Sequence, residues 1–367
     1  MIIKRLELSN FRNYEELHLD FDKGTNILYG DNAQGKTNIL EAIFMSATTK
    51  SHKGSKDREV INFQKDEAHI RSIIERDHAE YRLDMHLRKS KSKGLAIDGQ
   101  KLKKAADYVG KLNAVFFSPE DLAIVKNGPS ERRRFIDLEL CQLDETYLYN
   151  LTRFNKLLVQ RNKMLKDMYD HPEYRPLLDV QDDQMIMYGT QIIKARQQFI
   201  EDLCSIIEPI HDKLTGGREN LKIFYEPNVA ADDYESKLKK VKDRDLFLKQ
   251  TSVGPQKDDF SFIVKGASQN EAIDIRKFGS QGQQRTASLS LKLSEIEIVK
   301  KAKKENPVLL LDDVLSELDS NRQNYLLDTI GDIQTIITCT GYDEFVNHRF
   351  EINKLLKVVN GTVTSEN

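Results

Sequence analysis

An α/β fold interrupted by a mainly helical domain is predicted by three features of this 367-residue sequence. A glycine-bounded loop, Gly30–Gly35, lies between a short apolar strand and a helix with one apolar face. Residues 130–210 carry apolar positions at helical spacing. Strand and helix then alternate again from residue 250 to the end. The predicted division is a head of residues 1–120 and 250–367 and a mainly helical arm of residues 121–249. The head combines a mixed sheet, helices and an antiparallel β subdomain. Typical domains of about 150 residues make two domains the natural count for this length.

Each element follows from its local pattern. Leu17, Leu19 and Phe21 alternate with His18, Asp20 and Asp22, the period of a half-buried strand. Asn26–Tyr29 is an apolar run that stops at Gly30, so the first forty residues read as two strands and a loop. Ile39, Leu40, Ile43, Phe44 and Ala47 share one face of a helix. Residues 58–117 read as an antiparallel meander: Tyr81–Leu87 alternates cleanly, and Asp98-Gly99 is a turn signal. Ser118-Pro119-Glu120-Asp121 combines a capping residue, an early proline and early acids, which together start a helix. On either side of the turn cluster His171–Pro176, apolar stripes from Phe135 to Leu158 and from Met185 to Ile206 predict an antiparallel helical pair. Each arm is about 35 residues, or roughly 50 Å. Leu221–Tyr225, the alternation Phe260, Phe262, Val264 and the pair Ile273, Ile275 read as strands. A helix follows Ser280, Val308–Leu311 and Ile333–Thr338 are apolar strands, and Asn360-Gly361 marks a closing hairpin.

Composition excludes several classes. Basic and acidic residues nearly cancel, 56 against 58, for a net charge of -2, so a uniformly basic nucleic-acid coat is excluded and a local basic patch is not. Hydrophobic residues at 39% suffice for a sizeable core. Cys141, Cys204 and Cys339 lie far apart, which argues against a disulfide framework and a cysteine zinc site and fits a reducing compartment. The eight histidines show no ligand spacing, so no transition-metal site is expected. Met1–Arg5 lacks the order of a signal peptide, and no apolar run reaches the ~20 residues of a spanning helix. The expectation is a soluble cytoplasmic protein without a membrane partner.

Three segments carry chemistry. Gly30-Asp31-Asn32-Ala33-Gln34-Gly35-Lys36-Thr37 matches the P-loop pattern G-x-x-x-x-G-K-[ST], a match that arises by chance in roughly one chain of this length in a hundred. Its backbone N–H groups and the helix N-terminus suit phosphate, Lys36 suits the β and γ phosphates, and the Thr37 hydroxyl suits Mg²⁺. Leu309-Leu310-Leu311-Asp312-Asp313 is an apolar strand ending in two carboxylates. Asp312 is the candidate for holding Mg²⁺ or its water, and Asp313 the candidate for polarising an attacking water. Ser280-Gln281-Gly282-Gln283 opens a helix, as a plain cap or as a second anion site.

The order of these segments resembles ATP-binding-cassette (ABC) ATPases. The long gap between the P-loop and Ser280 resembles their SMC-like branch, where a helical insertion interrupts the cassette. Leu6–Tyr14, Gly30–Asn38, Phe117–Leu122, Gly128–Asp137, Gly279–Thr286 and Leu309–Asp319 together resemble the RecF family, from residue 2 to about residue 345. The resemblance implies an ABC-type P-loop ATPase head using ATP and Mg²⁺. Gly30, Asp31, Asn32, Ala33, Gln34, Gly35, Lys36, Thr37 and Asn38 would hold the nucleotide, with Ser280, Gly282 and Gln283 supplied by a second subunit. Lys36 and Asp313 would be catalytic, and Thr37 and Asp312 metal-directed. It further implies weak, DNA-stimulated hydrolysis, a homodimer closed by ATP, and binding to double-stranded and gapped DNA. RecO and RecR are the implied partners, loading recombinase at single-strand gaps during replication-fork repair and the SOS response.

Some positions depart from the family pattern. Gln256 and Lys257 replace a His-Arg pair, and Lys257 lacks the bidentate fork. Ser51-His52-Lys53-Gly54 replaces Ser-His-Arg-Thr. Thr338-Cys339-Thr340 stands where transporter cassettes carry histidine, leaving γ-phosphate sensing to hydroxyls or to nothing. Asp313 is one methylene shorter than the usual Glu, so slow hydrolysis is expected. Arg132-Arg133-Arg134 reads as a solvated helix end, a phosphate contact or a structural ion pair. The lysines 89, 91, 93, 101, 103 and 104 read as an exposed hairpin or a DNA-backbone track. Two other functions fit a P-loop: a kinase for a small acceptor and a transporter ATPase subunit. The Ser-Gln-Gly-Gln start and the Asp-Asp pair argue against the first; the absent histidine and the helical insertion argue against the second.

Overall fold

The computed structural model describes residues 1–171, 173–266, 271–341 and 351–366. The chain forms two compact units, Met1–Asp121 with Leu291–Asn367, and Leu122–Ser290.

The first unit begins with β1 (Ile2–Phe11) and β2 (Tyr14–Asp20), then β3 (Thr25–Tyr29) and α1 (Lys36–Thr48). Three strands thus precede the P-loop helix where two were expected. A bulge between Ile3 and Arg5 breaks the two-residue alternation of β1 and hid it. β4 (Glu67–Arg76), β5 (Ala79–Arg88), β6 (Gly94–Ile97) and β7 (Gln100–Lys101) follow. With β1 and β2 they make an antiparallel sheet in the order β2-β1-β4-β5-β6-β7. One face of it is apolar: in β4, Ala68, Ile70, Ser72 and Ile74 are buried while Glu67, His69 and Arg71 point outward.

β8 (Ala114–Phe117) leaves the expected meander and pairs parallel with a later strand. All four of its residues are buried, the pattern of a strand covered on both faces rather than one.

In the second unit α2 (Leu122–Lys126) leads to α3 (Pro129–Leu143), α4 (Glu145–Asp167) and α5 (Tyr174–Thr215). The expected first arm is therefore two helices. Asp144 breaks it with extended backbone and caps α4 by accepting from the Thr146 N–H at 2.8 Å. The second arm is longer than expected, 42 residues, because Tyr174–Pro176 of the anticipated turn forms its first helical turn, where proline is tolerated. Pro172 of that turn lies outside the described residues. α4 and α5 pack together. Arg161, fully buried, ties them to a further helix: it donates to Asp182 at 2.6 Å, to Asp245 at 2.7 Å and to Thr251 at 2.9 Å.

β9 (Glu219–Glu226), α6 (Tyr234–Lys240), α7 (Lys242–Leu248), β10 (Asp259–Gly266), β11 (Ile273–Asp274) and α8 (Ile275–Phe278) complete this unit. They correct the expected boundary at residue 250. β10 pairs with β9 from Asp259↔Glu226 to Gly266↔Glu219, so the hydrogen-bond ladder holds residues 251–290 in the helical unit. Ile275 is helical rather than a strand residue, because Asp274 caps α8 through the Arg276 N–H.

α9 (Gln281–Lys303) spans the second crossing, and β12 (Val308–Asp312), α10 (Ser320–Ile330), β13 (Thr335–Cys339), β14 (Lys354–Val359) and β15 (Thr362–Glu366) return to the first unit. They build the second sheet, β15-β14-β3-β13-β12-β8, with β15 alone antiparallel. α1 packs against both sheets, and its burial runs almost all round rather than on one face. Among the described residues no helix is long and apolar enough to cross a membrane.

Candidate functional site

The carboxyl ends of three adjacent parallel strands converge, the general location of ligand sites in open α/β sheets. β3 delivers the P-loop, β12 delivers Asp312 and Asp313, and β13 between them delivers Thr338. Two loop positions require glycine. Gly30 has φ 145° and a Cβ there would stand 2.3 Å from the Val358 carbonyl oxygen. Gly35 has φ 111° and a Cβ there would stand 2.7 Å from the Tyr14 hydroxyl.

Lys36 is buried, and its Nζ donates to the carbonyls of Gly30 at 2.5 Å and Asp31 at 2.8 Å. Burial pulls its pKa below the usual lysine range, against Cys339, Asp313, Asp312 and Asp31, which favour the charged form. Thr37 donates its hydroxyl to Asp312 Oδ1 at 2.8 Å, although 275 positions separate them. The same Oδ1 accepts from Thr338 Oγ1 at 2.7 Å, and Thr338 Oγ1 accepts the Asp313 N–H at 3.1 Å. Asp313 sits at φ 53°, in the left-handed region, with Ser316 Oγ 3.4 Å from its Oδ1. Lys36 and Thr37 on the one side and Asp312 and Asp313 on the other, far apart in sequence, thus come together at the strand ends. A hydroxyl and a carboxylate facing each other are the hard oxygen donors that fit Mg²⁺.

The loop is braced by Tyr14, Asn13, Arg12 and the closing hairpin, to which sequence reasoning gave no role, and the Gln34 and Asn38 side chains, expected at the nucleotide, are engaged in this bracing. Tyr14 donates its hydroxyl to the Gly35 carbonyl at 3.1 Å. Burial holds the Tyr14 hydroxyl protonated by raising its pKa. Asn13 Nδ2 donates to the Gln34 carbonyl at 3.2 Å and Asn38 Nδ2 donates to Asn13 Oδ1 at 2.8 Å. From the closing hairpin, the Asn360 N–H donates to Gln34 Oε1 at 2.6 Å and the Gly361 N–H to the Gln34 carbonyl at 3.2 Å. Below α1, Arg12 grips the buried Glu41 carboxylate through Nε and Nη2, both at 2.8 Å, and Ser51 adds a third bond. Burial acts to raise the Glu41 pKa, and these bonds outweigh it and hold it below the usual range.

Ser280, Gly282 and Gln283 belong to the second unit. Ser280 Oγ accepts the Gln283 N–H at 3.2 Å, and Gln283 Oε1 accepts the Ser280 N–H at 2.8 Å, a reciprocal cap. Ser280, Gln281 and Gly282 remain exposed, so the start of α9 faces outward.

The arginine run resolves toward structure. Arg132, 1% exposed, donates to both carboxylate oxygens of Asp259, at 2.6 and 3.0 Å, and Arg133 donates to the Asp258 carbonyl at 2.8 Å. Gln256 donates to the Val253 carbonyl at 3.0 Å. On the basic hairpin Lys93 is held by Asp57 at 2.9 Å, while Lys89, Lys91, Lys101, Lys103 and Lys104 are exposed. Against the expectation drawn from histidine spacing, Glu67, His69 and His86 come together on the outer face of β4 and β5. The signal that could have found them is the pairing of strands around the turn at Asp77-His78, not linear spacing.

Comparison with known proteins gives one answer. The RecF/RecN/SMC N terminal domain family matches residues 2–364. A protein named DNA replication and repair protein RecF from Agathobacter rectalis is 60% identical over 363 residues, covering 99% of each chain. The protein of that name from Lachnospira eligens is 56% identical over 369 residues, covering all of both chains. A solved structure described as the recombination mediator protein RecF with ATP in the RecFOR pathway superposes with a TM-score of 0.90 at 34% identity, covering 100% of this chain and 97% of that one. An Smc head domain from Pyrococcus furiosus shares the fold, with a TM-score of 0.55 at 16% identity over 99% of this chain and 95% of that one.

Proposed function

Since the chain belongs to the RecF family of DNA replication and repair proteins, we propose that it is an ATP-driven DNA-binding switch that closes as a homodimer on duplex or gapped DNA in the cytoplasm. The observation that carries this reading is the Thr37–Asp312 hydrogen bond beside Lys36, which unites P-loop and strand-end carboxylate in one oxygen-lined site. The P-loop N–H groups and Lys36 bind the phosphates of ATP. Thr37 and Asp312 would hold Mg²⁺, which would neutralise charge on the phosphate oxygens. Asp313 accepts the proton of the attacking water, and the short reach of its side chain keeps turnover slow. Gly30–Asn38 of one subunit face Ser280, Gly282 and Gln283 of the other across each nucleotide. A solved relative described within the RecFOR pathway supports RecO and RecR as the partners through which the switch promotes recombinase loading. A P-loop kinase is disfavoured by the exposed Ser280–Gly282 helix start, which suits a phosphate from outside.

Mixing two inactive variants tests the shared site. Ser280→Arg is expected to bind ATP, stay monomeric and fail to hydrolyse; losing the cap costs only about 1 kcal/mol, so folding survives. Lys36→Arg is inactive at the other half of the site. An equimolar mixture is expected to regain about a quarter of wild-type active sites, because half the dimers are mixed and each holds one intact site. Steady-state ATPase assays across mixing ratios read this out. Hydrolysis by Ser280→Arg that scales linearly with its concentration would rule the shared site out.

DNA contact by phosphates alone makes a second expectation. Affinity for duplex DNA in the presence of ATP should fall log-linearly with salt, with a slope near -0.9 for each phosphate contact, and differ little between sequences. Fluorescence anisotropy at several salt concentrations checks it, and a salt-independent affinity contradicts it.

A further inference from the structure

The outer face of the antiparallel sheet carries a row that the nucleotide site does not use. His69 on β4 stands directly opposite His86 on β5, and their rings stack with centroids 4.0 Å apart and 18° between planes. Glu67, two residues before His69, lies on the same face and contacts His86, with Oε2 2.6 Å from Nε2. The flanking positions in this row are small. Ser9 on β1 pairs with His69, and Gly94 on β6 pairs with His86. A Cβ on Gly94 would stand 3.7 Å from the His86 Cβ, so the glycine leaves that side of the ring uncovered.

We propose that Glu67, His69 and His86 form a binding site for a divalent transition-metal ion of the zinc class, with a fourth position open to solvent. One ligand atom from each residue lies within 4.8 Å of the others. Tetrahedral Zn²⁺ with bonds near 2.05 Å needs its donors about 3.3 Å apart. Side-chain rotations on this outer face draw in the wider pairs and open the 2.6 Å contact between Glu67 and His86, and the β-ladder already fixes which rings meet. Two imidazoles and one carboxylate are the donor set that favours zinc, copper, nickel or cobalt over Mg²⁺ or Ca²⁺. The ion takes the place of the hydrogen between Glu67 and His86 and draws in His69. Arg71 is not a competitor, because it is engaged by Asp84 at 2.6 Å and by Glu7 at 3.1 Å.

The test is titration of the EDTA-treated full-length protein with Zn²⁺ by calorimetry, without nucleotide, paired with Co²⁺ absorption. Wild type is expected to bind one ion at this site, with a Co²⁺ spectrum of nitrogen and oxygen ligands and no thiolate charge-transfer band. His69→Asn and His86→Asn should each weaken that binding at least tenfold, and Glu67→Gln several-fold. The double histidine variant, left with Glu67 alone, should bind more weakly than either single variant. All three substituted side chains lie on the outer face of the sheet, so metal-free thermal midpoints should match wild type; a variant that unfolds is replaced by the other histidine variant. Binding that survives in His69→Asn and His86→Asn, a thiolate-type Co²⁺ spectrum, or no binding by wild type would overturn the proposal.

Discussion

Asp313→Asn should bind ATP and hold it uncleaved. Removing a positioned general base costs roughly 10²–10⁴-fold in rate. The substitution is isosteric, and asparagine is one of the few residues at ease in left-handed backbone, so φ 53° at this position should be retained. Folding, and the Asp313 N–H bond to Thr338, should therefore persist while the carboxylate is lost. The ATP-closed dimer should accumulate, visible as an ATP-dependent doubling of mass in sedimentation alongside single-turnover hydrolysis. The neighbouring change separates the two carboxylates. Asp312→Asn disturbs the oxygen that receives both Thr37 and Thr338, and should raise the Mg²⁺ concentration needed for nucleotide binding. Turnover by Asp313→Asn within tenfold of wild type would place the base elsewhere.

Lys36→Arg should lose hydrolysis by about 10²–10³-fold, the scale of deleting one preorganised charge contact to the transition state. Lys36 Nζ occupies a buried slot between the Gly30 and Asp31 carbonyls, sized for a compact ammonium. A planar guanidinium spreads its charge and cannot enter that slot in the same geometry. The β3 strand and α1 are held by neighbours other than this side chain, so the circular dichroism spectrum should match wild type. Near-normal turnover in such a folded variant would refute the role given to Lys36.

Local chemistry was legible in the sequence and long-range pairing was not. Gly30, Gly35, Lys36 and Thr37 are dictated by one tight turn, so their spacing alone announces them. The reciprocal Ser280–Gln283 cap is equally local. The Thr338 hydroxyl that bridges Asp312 and Asp313 depends on β13 lying between β3 and β12, and strand order is not written in the segment Thr338-Cys339-Thr340. The trio Glu67, His69 and His86 depends on register across a hairpin in the same way. Arg132 read equally as a solvated end, a phosphate contact or an ion pair, because the partner that decides it, Asp259, lies 127 positions away. The domain boundary was misplaced for a related reason: the helical stripes end before residue 250, but the ladder between β9 and β10 ties the following segment back.

The position of β3 also bears on how the protein is made. This strand is among the first to be synthesised, yet its neighbours on both sides, β13 and β14, are among the last: Thr25 pairs with Thr335, and Asn26 with Lys354. A ribosome must therefore deliver β13 and β14 before the central sheet can close around β3, and the P-loop that β3 carries stays without its flanking strands until then. Such distant pairing slows folding and leaves apolar strand edges exposed meanwhile. The helical unit, by contrast, draws its α4–α5 pair from neighbouring segments of the chain, so local contacts suffice to assemble that pair before β13 and β14 are made.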